Sequence, residues 1–151
     1  VAGLKGRYEG KVDAKGRVSI PSKCRKLLPG QLVVAKHPNK DLPALVVYLE
    51  QGYDAWFDKL LESKGGERAN DALQDELIDE FYSDAQDAMP DDLGRITIPL
   101  FLREYAGIKQ DVVITGARDH LIIRTPETLA QYRERFAGNM VYDKPATVQE
   151  G

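Results

Sequence analysis

The chain has 151 residues, 42% apolar content and a formal net charge of −3, enough for one compact domain or two small fused halves whose core needs no covalent staples. Its single cysteine, Cys24, excludes an intramolecular disulfide framework and a cysteine-based zinc site, and it fits a reducing cytosol. No apolar run approaches the length that spans a bilayer, so a soluble, cytoplasmic protein with no membrane partner is expected.

The charge is segregated along the chain. Residues 1–26 carry eight basic groups against Glu9 and Asp13, whereas residues 58–92 carry twelve acids against Lys59, Lys64 and Arg68. Such an asymmetry gives the chain a positive face suited to a polyanion, although each run also reads as plain solvated surface.

In chain order, Tyr8, Gly10 and Val12 alternate with charged neighbours, and Val18 and Ile20 alternate with Arg17 and Ser19, the period of two strands. Between them Asp13 can accept a backbone hydrogen bond and Gly16 can take positive φ, which predicts a hairpin with a tight, aspartate-opened turn. By parity Val18 and Ile20 face the core and Arg17 points away from it. Pro21 suits the first turn of a helix from about residue 21 to 28 that turns Cys24, Leu27 and Leu28 to one side before Pro29-Gly30 ends it. The apolar runs 32–35 and 45–48 then read as strands, and 53–61, with Trp56 and Leu60 as packing residues, as a helix.

After Gly65-Gly66 comes an acidic segment in which Leu73, Leu77, Ile78, Phe81 and Ala85 recur at helical spacing, the pattern of an amphipathic helix packed on the body of the fold or on a neighbouring subunit. The strand–turn–strand–helix pattern then returns. Pro99 opens a helix carrying Leu102, Tyr105 and Ala106, Gly107 stops it, residues 112–115 and 121–124 read as strands, and Pro126 opens a last helix that includes Tyr132. Residues from about 138 lack periodicity and are expected to form a flexible tail.

This recurrence is an internal duplication. Residues 13–25 and 91–103 match at six of thirteen positions, pairing Asp13 with Asp91, Gly16 with Gly94, Arg17 with Arg95, Ile20 with Ile98, Pro21 with Pro99 and Arg25 with Arg103. Each half reads β-β-α-β-β, and two such units are expected to bury their apolar faces against each other about a pseudo-two-fold axis. The fold class is therefore α+β, with residues 1–52 as a first repeat, 53–88 as a helical connector, 89–135 as a second repeat and 136–151 as the tail.

The repeated Asp-x-x-Gly-Arg-x-x-Ile-Pro-x-x-x-Arg string, with Leu4-Lys5-Gly6 near the start, Trp56 after the first strands and Ala106-Gly107-Ile108 after the second string, resembles the MraZ family of bacterial transcriptional regulators. The likeness covers roughly residues 4–135. It implies a swapped-hairpin β-barrel related to AbrB, SpoVT and MazE, here made by two halves of one chain. It also implies assembly into a ring-shaped homo-oligomer, a place on the nucleoid, and binding to tandem DNA repeats upstream of the division and cell-wall gene cluster, usually to repress it. The chain departs from the family in its acidic segment at 67–87.

On this reading double-stranded DNA is the partner. Lys5, Arg7, Lys11, Lys15, Arg17 and Arg95 are the candidate contacts, with Lys11, Lys15 and Arg17 forming a compact cationic tip. A guanidinium can bridge guanine O6 and N7 or clamp a phosphate. Asp13, Gly16, Pro21, Arg25, Asp91, Gly94, Pro99 and Arg103 are motif residues of structural role. Arg17 and Arg95 can alternatively close their own turns as ion pairs with Asp13 and Asp91, an option weighted toward Arg95 because Asp92-Leu93 replaces the lysine-bearing turn. Arg25 and Arg103 are expected to hold carbonyls or carboxylates near helix ends. A protein-binding, antitoxin-like or scaffold role is the alternative function. Neither His37 nor His120 has a metal-ligand spacing, and no nucleophile is paired with a base, so no catalytic residue, metal or cofactor is expected.

Overall fold

The computed structural model describes residues 3–65 and 71–137. Eight antiparallel strands and four helices make a mixed α+β architecture: β1 (Arg7–Lys11), β2 (Arg17–Ser19), β3 (Leu32–Lys36), β4 (Leu45–Leu49), α1 (Glu50–Gly65), α2 (Asp71–Leu77), β5 (Gln86–Ala88), β6 (Arg95–Thr97), α3 (Leu100–Tyr105), β7 (Asp111–Gly116), β8 (His120–Arg124) and α4 (Pro126–Phe136). Six strands form one sheet in the order β1-β7-β8-β4-β3-β5, and β2 pairs with β6 in a separate ribbon. The predicted tail from residue 138 lies outside the described residues.

The two halves exchange strands. β1 of the first half pairs with β7 of the second, β5, a strand at the end of the segment expected to be helical connector, pairs with β3 of the first, and β2 pairs with β6 across the halves. The predicted local hairpin therefore exists only as its turn. Asp13 N–H donates to the Arg17 carbonyl at 2.9 Å and Gly16 N–H, at φ +82°, donates to the Asp13 carbonyl at 2.9 Å, but the ladder goes no further and β2 pairs with β6 instead. Side-chain parity cannot register this exchange, since a strand alternates identically whichever neighbour it pairs with. The ladder of the large sheet has two free edges, β1 and β5.

The exchange builds the main core. Leu32, Val34, Leu45, Val47, Val112, Ile114, Leu121 and Ile123 on one sheet face meet Val18, Ile20, Ile96 and Ile98 of the ribbon, together with Cys24, Leu28, Leu102 and Ala106. On the opposite face Val33, Ala35, Val46 and Tyr48 pack against Tyr53 and Phe57 of α1 and against Phe81. Strands β3 and β4 are thus covered on both faces, which is why they read as unbroken apolar runs rather than alternating ones.

Two local expectations change. Residues 21–28 form turns and a short 3-10 segment, Arg25–Leu27, not an α-helix. Leu28 precedes Pro29 and is pushed out of the helical region, to φ −129° and ψ 56°, and Leu27 turns outward while Cys24 and Leu28 stay buried. The acidic helix switches from α2 to a π-helical segment at Ile78–Tyr82. The wider turn rotates the stripe, so that Phe81 is buried but Ile78 is exposed. Ala85 falls beyond the helix, on the approach to β5.

Candidate nucleic-acid interface

The repeated string folds into the same device twice. Asp13 Oδ1 accepts the backbone N–H groups of Lys15 and Arg17, each at 2.9 Å, while its Oδ2 accepts Arg17 Nε at 2.7 Å. Asp91 does the same for Leu93, Arg95 and Arg95 Nε at 3.0, 2.9 and 2.8 Å. One carboxylate therefore closes the turn and aims the arginine. Both carboxyls are held below the usual carboxylate range, chiefly by the backbone bond from the arginine, with the arginine side chain adding to it against a smaller opposing effect of desolvation. The aspartate–arginine pairing is equal in the two repeats, despite the acidic second turn.

The remaining motif residues join one repeat to the other. Ile20 N–H donates to the Gly94 carbonyl at 2.9 Å, and Ile98 N–H donates to the Gly16 carbonyl at 2.8 Å. Arg25 Nε donates to the Ile20 carbonyl at 3.0 Å and its guanidinium lies against Gly94; Arg103 Nε donates to the Ile98 carbonyl at 2.9 Å and its guanidinium lies against Gly16. Arg25 and Arg103 thus hold carbonyls, as their position suggested, but each covers the glycine of the other half. Gly16 and Gly94, at φ +82° and +77°, are required both by backbone conformation and by that close approach. Pro99 directly precedes α3, whereas Pro21 opens the turn at residues 22–24 that leads into the 3-10 segment.

On the ribbon, Val18 and Ile96 point inward with 1% exposure. The outward face carries Arg17 directly opposite Thr97 and Ser19 directly opposite Arg95. Two guanidiniums and two hydroxyls are thereby set on one short exposed surface by the pseudo-two-fold. Each guanidinium spends its Nε on its aspartate, leaving both Nη groups for an external acceptor, and the Arg17 and Arg95 side chains keep 31% and 28% of their exposure. Sequence reasoning missed Ser19 and Thr97. They stand at equivalent positions of the two strings, but only the cross-half register makes them neighbours of the arginines.

The other cations are more dispersed than the predicted tip. Lys15 is exposed in the first turn. Lys11 lies on β1 and its ammonium pairs with Asp111 across β1–β7 at 2.7 Å. Arg7 opens β1 on the same outer face as Lys11. Lys5 follows the bridge between Leu4 and Arg118, which adds Arg118, an exposed residue at φ +78°, to this end of the molecule. No periodic or motif signal distinguishes Arg118.

Among the described residues, no group of three His, Cys, Asp or Glu side chains could hold a metal ion, and no helix is long and apolar enough to cross a membrane. His37 accepts the Asn39 backbone N–H on Nδ1 at 3.1 Å, and His120 stacks on Tyr48 at 4.4 Å between ring centroids. Both histidines are occupied in packing or loop closure.

Residues 81–150 match the family model described as "MraZ protein, putative antitoxin-like". The chain is 34% identical over 132 residues to the transcriptional regulator MraZ of Symbiobacterium thermophilum, covering 85% of this chain and 88% of that protein. The protein of the same name from a Parafrankia species is 35% identical over 137 residues, covering 87% and 90%. That of Corynebacterium glutamicum strain R is 32% identical over 129 residues, covering 85% of each.

Proposed function

Because the chain belongs to the MraZ family of transcriptional regulators, we propose that it is a sequence-specific DNA-binding regulator whose contact surface is the outward face of the β2–β6 ribbon. The observation that carries this reading is the quartet Arg17, Ser19, Arg95 and Thr97, aimed by Asp13 and Asp91. A pre-oriented guanidinium suits bidentate recognition of guanine or phosphate, and a hydroxyl beside it can donate or accept. Lys15 at one end supplies sequence-independent attraction, and Lys5, Arg7 and Lys11 reach flanking phosphates.

The strand exchange supports a swapped-hairpin barrel of the AbrB, SpoVT and MazE type, with residues 1–52 and 89–135 as its repeats. One ribbon contacts few base pairs, so several copies joined in a ring would engage tandem repeats at once and gain avidity without new contacts. Repression of the division and cell-wall cluster, in the cytoplasm on the nucleoid, is the regulatory outcome we assign.

Fluorescence anisotropy on duplexes carrying tandem or scrambled repeats, over a salt series, tests this. If Arg17 reads a base, Arg17→Ala costs about 1 to 3 kcal/mol and relaxes sequence preference. If it holds phosphate, affinity falls on every duplex and the salt slope shrinks by about one. Arg95→Ala should behave as Arg17→Ala does. Salt-insensitive or absent binding by the intact chain would sink the DNA reading, and equal affinity for one repeat and for several would remove the multivalent mechanism.

A further inference from the structure

The pseudo-two-fold that relates the halves also relates two clefts, and among the described residues only the first receives a side chain from a covering helix. In the first half a cleft lies between β3, the approach to β5 and α1, lined by Val33, Tyr53, Asp54, Ala85 and Asp87. Tyr82 from the π-helical segment enters it, stacks at 5.8 Å on Tyr53 and 5.0 Å from Phe57, and donates its hydroxyl to Asp54 Oδ1 at 2.7 Å. The remaining volume is about 140 Å³.

The strand registers locate its mate. Val33 faces Asp87 across β3–β5 as Val113 faces Glu9 across β1–β7. Leu45 and Ile123 pair as do Val47 and Leu121, so β4 corresponds to β8, and α1 and α4, which follow these strands directly in the chain, hold equivalent places. The corresponding cleft is lined by Val113, Leu129, Ala130, Arg7, Glu9 and Arg133, and it has a volume of about 500 Å³. Among the described residues no helix lies over it as α2 and its π-helical continuation lie over the first.

The lining has changed with the vacancy. Leu129, Val113 and Ala130 keep an apolar floor, Arg7 stands where the first half has Ala85, and Arg133 where it has Phe57. Ala130 in place of Asp54 removes the acceptor for a phenol hydroxyl. Glu9 retains the acidic character of Asp87, leaving two guanidiniums against one carboxylate. A guanidinium can lie on a ring face and pair with a carboxylate beside it.

We propose that the cleft between β1 and α4 docks an aromatic side chain borne next to a carboxylate on a segment of a partner protein. The aromatic ring takes the place that Tyr82 takes in the first half, and the carboxylate meets Arg7 and Arg133. This surface lies outside the ribbon quartet and shares only Arg7 with the proposed DNA contacts, so Arg133 is the residue that separates the two.

The probe is a fluorescein-labelled peptide with the sequence of residues 77–84, Leu-Ile-Asp-Glu-Phe-Tyr-Ser-Asp, titrated with the full chain and followed by anisotropy. Saturable binding is expected, lost when both aromatics are alanine, lost on the cleft-filling change Ala130→Trp, and weakened about five- to tenfold by Arg133→Glu. Arg133 is exposed, so its variant should fold, as a melting curve will verify. Equal binding of the alanine peptide, or indifference to both variants, overturns the proposal. So does binding that emerges only after deletion of residues 138–151, which would make the chain's own end the occupant. If Arg133→Glu lowers DNA affinity and leaves peptide binding intact, the cleft belongs to the nucleic acid and the proposal again fails.

Discussion

Gly94→Ala in the second repeat should be felt by an arginine of the first. Gly94 has φ +77°, and a Cβ built there lies 2.5 Å from both Nε and Cζ of Arg25. Holding alanine in the left-handed region costs about 1 to 2 kcal/mol. Clearing the clash moves the Arg25 guanidinium off its 3.0 Å bond to the Ile20 carbonyl, a loss of about 1 kcal/mol for a partly solvated bond. The sum is about 2 to 3 kcal/mol, or roughly 4 to 12 °C in Tm for a chain of this size. Urea unfolding at fixed protomer concentration gives the difference through the midpoint, provided the slope is unchanged. Arg25→Ala removes the obstacle, so the glycine substitution in that background should cost only the backbone part, with a coupling of about 1 kcal/mol. A Gly94→Ala cost below about 0.5 kcal/mol, or an additive cycle, would refute the claim that the halves interlock through Gly94 and Arg25.

Thr125 caps α4 by accepting the Thr128 N–H at 3.0 Å, so Thr125→Ala should lower stability by about 1 kcal/mol in denaturant titrations, and Thr125→Asp by much less. Asp13 and Asp91 have carboxyls held below the ordinary range; their contribution is present above the unfolded value and is lost as pH falls through the folded one. Carbon-detected NMR should show both titrating below the usual aspartate value, and ordinary midpoints would remove the turn-locking role. Burial, then the charges of Arg124 and His120, push His37 below the usual imidazole value. The unfolded chain therefore takes up that proton first, and stability should decline as pH falls from the ordinary imidazole value toward the folded one. His37→Gln should flatten that decline, and an unchanged pH profile would show that His37 does not cause it.

A Tyr82→Phe substitution keeps the ring in its cleft but removes the 2.7 Å bond to Asp54, a change worth about 1 kcal/mol. Tyr82→Ala also vacates the cleft and should cost more, and in the full chain it tests whether the first cleft then accepts the peptide that the second is proposed to bind.

What the sequence determined by itself was local. Glycine at the positive-φ turn position, aspartate two residues before a donating N–H, proline ahead of α3 and apolar alternation each act over a few residues, so the turns and most strands were legible in both repeats, the short α-helix of the unit in the second repeat alone, and the family as well. The charge segregation was legible too, because it is composition. Tertiary structure decided which strand each strand meets. Tyr8–Lys11 and Arg17–Ser19 look like one hairpin in sequence, yet they pair with β7 and β6, since the apolar faces of both halves are buried only by exchange. That choice set Lys11 against Asp111 across β1–β7, gathered Ser19 and Thr97 beside the arginines, and turned Arg25 and Arg103 into clasps on the opposite repeat. It also made the helices unequal: a π-helical turn placed Tyr82 in one cleft, and among the described residues no helix covers its mate between β1 and α4, a difference of packing that no pattern along the chain encodes.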